Sequence, residues 1–498
     1  MLNQDTKRPS EKKNQHPSRR DFLCRSAAVA AMSLTGGSFA TSKALTNAHE
    51  EQVGTKDNVL FIAVDDLRMA AMGAYGVTQV KTPNIDRFAA DATVFKRAYC
   101  QYPICMPSRA SLMTSMRTVG RRADQGPSKA STTLGQHFKD HGYTTVANGK
   151  IFHTIADSAD SWSEPSWRVY DYEVDTEGDW GKYHFDKIWL QPESRDHISE
   201  RGRGPYWEAA DVDDFDYEDG QVVQKSLEDM RRLHQTNQPF FLAVGLHRPH
   251  LPFNAPKRYF DLYDPDEIDL ADNRFAIANQ PGALRNSGEI GNYSMIDGWP
   301  EEEHFHRQAR HAYFACVSYV DALIGKLLDE LKALDIYENT IIVLWSDHGW
   351  LLGEHNFWGK HNTLNESIQV PLIVRAPGHK TGTRTPALVE LLDIYPSLCE
   401  LTGLPHPDSH ELEGKSFAPL LEEPDQPWKE AVFSEFRESR VVKTDRYIYT
   451  EWKNGDRMLF DHLKDPNENV NVADEPEYAE AVSYMRGLLA SFDATETR

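Results

Sequence analysis

The apolar positions of this chain fall into two patterns. One is the short unbroken run: Asn58–Val64, Phe240–Gly245, Thr340–Trp345, and more briefly Thr144–Ala147 and Pro371–Val374. Runs of this length without polar alternation predict strands buried on both faces. The other is recurrence every third or fourth residue, which predicts helices over Pro83–Ala90, Pro107–Met116, Leu134–His141, His311–Leu334 and Leu388–Thr402. Thr93–Tyr99 reads as a further strand. Helices and apolar strands alternate along most of the chain, which predicts an α/β fold with a doubly wound, mostly parallel sheet flanked by helices. From about Pro405 the pattern changes. Arg440–Thr450 and Arg457–Phe460 are β-like runs, then comes a turn zone and a last helix near Tyr478–Phe492. This predicts a smaller C-terminal α+β lobe built on an antiparallel sheet, over residues 405–498, behind a catalytic domain over 45–404. Residues 154–238 and 252–310 are rich in Trp, Asp, Gly and Pro and read as long insertions over the sheet.

The first 44 residues break this pattern. A charged stretch leads to Ser18-Arg19-Arg20-Asp21-Phe22-Leu23, a weak apolar run over Ala27–Leu34, and small residues to Ala40. The order resembles a bacterial twin-arginine export signal, removed on maturation, and implies a periplasmic or secreted protein. No stretch is long enough for a transmembrane helix.

Composition then adds charge. The 498 residues carry 54 Lys+Arg against 76 Asp+Glu, a formal net of −22. Loss of residues 1–44 removes eight positive and three negative charges, which takes the net to −27. Such a surface excludes nucleic acid as a partner. It leaves an anionic substrate only if positive charge is concentrated in the site. Five cysteines do not make a disulfide scaffold at this length.

Candidate chemistry gathers where strands end. Asn58–Val64 runs into Asp65-Asp66, and Thr340–Trp345 into Asp347-His348-Gly349. Phe240–Gly245 runs into His247-Arg248-Pro249-His250, and Thr144–Ala147 into Asn148-Gly149-Lys150 with His153 beyond. Open α/β sheets bind ligands at the carboxyl ends of their strands, so these clusters are expected to share one pocket. Three carboxylates and an imidazole suit a divalent cation, with Ca²⁺, Mg²⁺, Mn²⁺ and Zn²⁺ all open on these residues alone. Cys105 precedes the helical Pro107-Ser108-Arg109-Ala110. A helix N-terminus and a neighbouring arginine are expected to lower its pKa.

Cys105-Met106-Pro107-Ser108-Arg109 resembles the signature of the type I sulfatases, in which the cysteine is oxidised to formylglycine. The resemblance extends to Asp65–Arg68 (DDLR), Gly149–His153 (GKIFH), His247–Phe253 (HRPHLPF) and Ser346–His355 (SDHGWLLGEH), with the iduronate-2-sulfatase branch the nearest in look. It implies an alkaline-phosphatase-like fold and hydrolysis of an O-sulfate on a saccharide, such as a 2-O-sulfated uronate of a glycosaminoglycan or algal polysaccharide. It also implies a maturing enzyme as partner. On this resemblance Cys105 becomes the nucleophile and, with Asp65, Asp66, Asp347 and His348, lines the site of one Ca²⁺. Arg109, Lys150 and Lys360 hold charge around the sulfate. His153 serves the hydrate and His247 the leaving alcohol. Arg68, His250 and Trp350 are expected substrate contacts. One departure stands out: the family's signature continues to Thr-Gly-Arg, and here Ser115 replaces the glycine. The alternatives are a phosphoesterase or phosphonate hydrolase on the same fold, and a non-catalytic glycan-binding relative should Cys105 stay unconverted.

Overall fold

The computed structural model describes residues 56–117, 131–153, 158–169, 188–199, 203–297 and 302–496. The export segment read at residues 1–44 lies outside them. Residues 55–498 form one compact unit.

Seven strands make the central sheet. In chain order they are β1 (Asn58–Val64), β2 (Thr93–Tyr99), β3 (Thr144–Gly149), β4 (Phe240–Leu246), β5 (Thr340–Ser346), β6 (Gln369–Arg375) and β7 (Thr383–Glu390). They lie in the order β7-β2-β6-β5-β1-β4-β3. All run parallel except β6, which is antiparallel to β2 and β5. The longer helices are α1 (Pro83–Ala89), α2 (Cys105–Thr114), α3 (Leu134–Asp140), α4 (Glu218–His234), α5 (Glu303–Ala333), α6 (Ile394–Thr402) and α7 (Ala479–Glu496).

The period of two along β1 explains why helices cover both faces. Leu60, Ile62 and Val64 point into a core shared with Phe88 of α1, Met230 of α4 and Val317 and Ile324 of α5. Val59, Phe61 and Ala63 point the other way, toward Leu112 of α2, Phe138 of α3 and Leu398 of α6. Phe61 packs 5.5 Å from Phe241 and 5.3 Å from Trp345, ring centre to ring centre. Cutting it to alanine would cost about 3–5 kcal/mol.

The C-terminal sheet has four antiparallel strands in sequence order: β8 (Ala431–Phe436), β9 (Ser439–Thr444), β10 (Tyr447–Trp452) and β11 (Arg457–Asp461). Val432, Val441, Ile448 and Phe460 belong to the same core as Phe61. Val442, Tyr449 and Leu459 on the other face pack against Val482, Met485 and Leu489 of α7.

Three sequence expectations need correction. Leu388–Thr402 is not one helix: its first residues end the edge strand β7, and helix α6 starts only at Ile394. Pro386 sits where the β7–β2 register shifts, a place where an edge strand tolerates proline. Arg440–Thr450 is a hairpin of two strands, β9 and β10. The 154–238 insertion contains α4, which links β3 to β4 as a parallel crossover must.

Candidate active site

The sheet register brings the strand ends together. Val64 is paired with both Leu246 and Ser346, so the next residues, Asp65, His247 and Asp347, leave three adjacent strands at one level. Gly149 is paired with Gly245, and Lys150 follows at the fourth strand end. This approach requires glycine: a Cβ on Gly149, which has φ +74°, would meet Gly245 O at 2.0 Å. Lys150 N–H donates to Gly245 O at 2.9 Å instead. Asp66 takes the left-handed conformation at φ 61°. Its carbonyl accepts from Tyr313 Oη at 2.7 Å, and its N–H faces Asp347 Oδ1 at 3.4 Å. Tyr313, on α5, thus holds a conformation that a non-glycine residue adopts at a cost.

Cys105 opens α2 at the end of the turn that follows β2. Its Sγ lies 3.4 Å from Asp65 Oδ1, 3.3 Å from His348 Nε2 and 3.6 Å from Lys360 Nζ. Arg109, one turn on, is fully buried. Its Nε donates to Asp347 Oδ2 at 2.7 Å, another nitrogen lies 3.5 Å from Asp65 Oδ2, and it also donates to the carbonyls of Lys150 and Ile151. Lys150 pairs with Asp65, and Lys360 with Asp66 at 2.8 Å.

Charge divides the two adjacent aspartates. Burial works to raise Asp65, but Lys150 and Arg109 outweigh it and hold its carboxyl well below the usual range. Burial wins at Asp66 and pushes it well above. The expectation for Cys105 is overturned. Burial first, and then the Asp65 carboxylate, push its thiol up to about 12, so the helix N-terminus and Arg109 do not produce a thiolate.

The metal candidates fit a cation by geometry. One donor atom each from Asp65, Cys105, Asp347 and His348 lies within 4.8 Å of the others, and so does the set Asp65, Asp66, Cys105 and His250. Oxygen ligands at about 2.4 Å from one ion are spread over that distance. His348 Nδ1 lies 3.2 Å from Gly349 O, which leaves Nε2, the nitrogen nearer Cys105, to act as a donor toward an ion. Because the two sets share Asp65 and Cys105, the described residues form one centre, not two.

The remaining candidates separate into those the fold brings to this centre and those it does not. His250 Nε2 lies 4.0 Å from Asp66 and 3.4 Å from Glu289, and its Nδ1 is 2.7 Å from Leu251 O. His247 stands farther out, 2.9 Å from Glu218 Oε1, its ring 6.3 Å from that of His250. His153 is neutral. Burial and then Lys150 push its imidazole down to about 2. Arg68 does not reach the pocket: it is buried and paired with Glu354 at 2.9 Å and Glu366 at 2.7 Å. Trp350 is fully buried in the core, with the Lys360 ammonium 5.3 Å from its ring. Cys100, Cys316 and Cys399 are buried free thiols.

Three acidic residues escaped the sequence reading. Glu218 and Asp219 open α4, where Glu218 takes the His247 ring and Asp219 accepts from the backbone N–H groups of His247 and Arg248 at 2.6 and 2.8 Å. Glu289 lies between Lys360 and His250. The first two had a signal, two acids at the start of an amphipathic helix. Glu289 had none, because it sits in an irregular segment.

Ser115 proves accommodated. It ends α2 at φ 51°, is fully buried, donates to Leu392 O at 2.7 Å and accepts from Gly414 N–H at 3.1 Å.

Residues 57–404 match the Sulfatase family model. This chain belongs to the sulfatase family. It is a sulfuric ester hydrolase. Residues 353–494 of the sulfatase also match a model described as the C-terminal part of N-sulphoglucosamine sulphohydrolase. The sulfatase is 33% identical over 460 residues to a sulfatase of Formosa agariphila, covering 88% of this chain and 87% of that one. It is 34% identical over 396 residues to iduronate 2-sulfatase of Mus musculus, covering 70% of this chain and 69% of that one. Among solved structures it resembles the phosphonate monoester hydrolase of Silicibacter pomeroyi, with a TM-score of 0.72 at 23% identity over 88% of this chain and 96% of that one. It also resembles BT1596, a 2-O GAG sulfatase, with a TM-score of 0.66 at 23% identity over 89% and 93%. At such identity these two likenesses speak for the fold alone. Among the described residues no helix is long and apolar enough to cross a membrane.

Proposed function

We propose that the sulfatase removes O-sulfate from a sulfated saccharide, with a 2-O-sulfated uronate as the preferred sugar, and that it acts after oxidation of Cys105 to formylglycine by a maturing enzyme. The observation that carries this reading is the setting of Cys105. Its Sγ faces Asp65, His348 and Lys360 at 3.4, 3.3 and 3.6 Å, one helical turn before the buried Arg109. Membership of the sulfatase family supports formylglycine at that position. The likeness to iduronate 2-sulfatase over 70% of the chain supports the choice of sugar.

Formylglycine supplies, as its hydrate, one oxygen that takes the sulfuryl group and a second that lets sulfate leave as the aldehyde re-forms. Asp65, Asp66, Asp347 and His348 would hold one divalent ion, read as Ca²⁺, which supplies positive charge beside the sulfate oxygens. Lys150, Lys360 and Arg109 add theirs from three sides. His153, neutral, accepts the proton of the second hydrate oxygen. We assign the proton for the leaving alcohol to His250 rather than His247, because His250 brings a ring nitrogen within 4.8 Å of Cys105 Sγ while His247 is drawn back to Glu218. Burial and then Lys360 hold the His250 imidazole well below the ordinary range, so the negative charge of the bound sulfate must load it. The export route read at residues 1–44 would deliver the folded, modified enzyme to the periplasm or beyond.

Mass spectrometry of the tryptic peptide containing Cys105 tests the reading. A loss of about 18 Da relative to the cysteine form is expected from exchange of the thiol for an aldehyde. An unmodified peptide from an active preparation would refute it. Release of inorganic sulfate from 2-O-sulfated uronates, in preference to 6-O-sulfated amino sugars, tests the sugar. Phosphonate or phosphate diester turnover exceeding sulfate release would favour the phosphoesterase alternative.

A further inference from the structure

The tip of the β8–β9 hairpin spans the two segments that supply Cys105 and Lys360. Phe436 and Ser439 are paired across the two-residue turn Arg437-Glu438. On one side Arg437 N–H donates to Tyr102 Oη at 2.8 Å and Glu435 N–H to Gln101 O at 2.9 Å, both on the segment leading into Cys105. On the other side the Phe436 ring lies parallel to the imidazole of His361, with centroids 6.2 Å apart. His361 follows Lys360 and lies 4.0 Å from Glu289.

The Arg437 guanidinium lies 5.1 Å from the centre of the Phe436 ring and is exposed. Among the described residues it makes no ion pair, in contrast to Arg109, Lys150 and Lys360, whose charges are matched by buried carboxylates. Its charge is felt inside. Burial above all, with Lys360 and Arg437 among the neighbouring cations, pushes His361 down to about 4. The backbone of Arg437 is left-handed, at φ 54°, where two-residue hairpins ordinarily use Gly or Asn. An arginine is an unfavourable choice for the turn itself, which points to a use for its side chain.

We propose that Arg437 sets specificity by pairing with a second anionic group of the substrate, a carboxylate or sulfate on the sugar that carries the scissile sulfate or on the next sugar. This rests on the reading of the site as a saccharide sulfatase. The Phe436 ring beside the guanidinium limits its freedom, and its fork of donors suits a two-pronged contact with such a group.

Three probes test it with the full-length, formylglycine-containing enzyme: 4-nitrophenyl sulfate, a 2-O-sulfated uronate monosaccharide, and that uronate joined to a 6-O-sulfated amino sugar. The readout is the ratio of kcat/KM for each saccharide to that for the aryl sulfate. In Arg437→Asn, which suits the turn, the ratio should fall about tenfold or more, the scale of one charge-assisted hydrogen bond, mainly through KM. Arg437→Lys should recover part of it. A fall already on the monosaccharide identifies the carboxylate as partner, and a fall on the disaccharide alone identifies the second sulfate. Ratios equal to wild type on both saccharides would overturn the proposal. Wild-type enzyme that cleaves none of the probes would overturn the reading beneath it, and is seen before any variant is made.

Discussion

The sulfatase buries two clusters of charge, and they differ in a way that separates function from architecture. One is the strand-end site, where Asp65, Asp66 and Asp347 meet Arg109, Lys150 and Lys360. The other joins the edge of the main sheet to the C-terminal sheet, where Glu390 and Asp393 meet Arg117 and Lys429. Both are removed from water and roughly balanced in sign. In the second, all four carboxylate oxygens have partners. Glu390 Oε1 accepts from Phe433 N–H at 3.1 Å and pairs with Arg117 at 2.7 Å, and its Oε2 accepts from Lys429 at 2.7 Å. Asp393 Oδ1 accepts from Lys415 N–H and Oδ2 from Glu390 N–H, both at 2.8 Å, with Lys429 bridging the two oxygens. In the first cluster, Asp65 Oδ2 pairs with Lys150 and lies 3.5 Å from Arg109, while its Oδ1 faces the Cys105 thiol at 3.4 Å. Donor atoms there converge on a common point and on a thiol. Buried charge alone therefore does not mark an active site. Convergence of donor atoms on one point does.

The largest effect that would break this contrast is on chemistry. Cys105→Ala should lower sulfate release by at least about four orders of magnitude, the scale of losing a nucleophile, with the melting temperature little changed. Retained turnover would mean the reacting group lies elsewhere. Next comes the metal. Chelation should abolish activity and added Ca²⁺ should restore it, with elemental analysis giving one ion per chain. Full activity in a metal-free protein would remove the reason for the converging donors.

The other cluster should behave in the opposite way. Glu390→Gln should leave kcat intact and cost about 3 kcal/mol in denaturant unfolding, because it removes the buried carboxylate that Arg117 and Lys429 share, although Lys429 keeps Asp393. Burial raises Glu390, but Arg117 and Lys429 outweigh it and hold its pKa down to about 2. Its unfolded value is about 4.3, so its stabilisation is present above that pH and is lost as pH falls toward 2. The Gln variant should lack this acid-dependent step. A variant that lost activity before stability would erase the distinction between the clusters. The smallest effect is expected at Ser115→Gly. Relief of the left-handed backbone is offset by loss of the bonds to Leu392 and Gly414, so stability should shift by less than about 1 kcal/mol. Formylglycine content, measured by mass, should be equal in both forms. A sharp rise in the glycine form would make Ser115 a brake on maturation.

The corrections share a cause. The strands β1, β4 and β5 were legible because burial on both faces leaves an unbroken apolar run. The first half of β7 was not, because an edge strand with a proline at a bulge carries little apolar signal. Helix α4 was hidden by its polar outer face and by the irregular sequence around it. The fall expected in the Cys105 pKa followed from two real features, the helix start and Arg109. It failed because burial and the carboxylates of Asp65 and Asp347 act at the same point and are stronger.

By itself the sequence determined the fold class, the strand-end placement of Asp65, Asp347, His247 and Lys150, and the pairing of Cys105 with Arg109 on one helix. These depend on local patterns, and periodicity records them. Tertiary structure alone decided which polar residues become chemistry. It turned Arg68 toward Glu354 and Glu366, sank Trp350 into the core, set His250 inside His247, and brought Glu289 from an irregular loop to Lys360. It also set the Arg437 hairpin, more than 300 residues from Cys105 in the chain, against the segments that carry Cys105 and Lys360. A contact over that distance is fixed by how whole layers pack, and no window of sequence contains it.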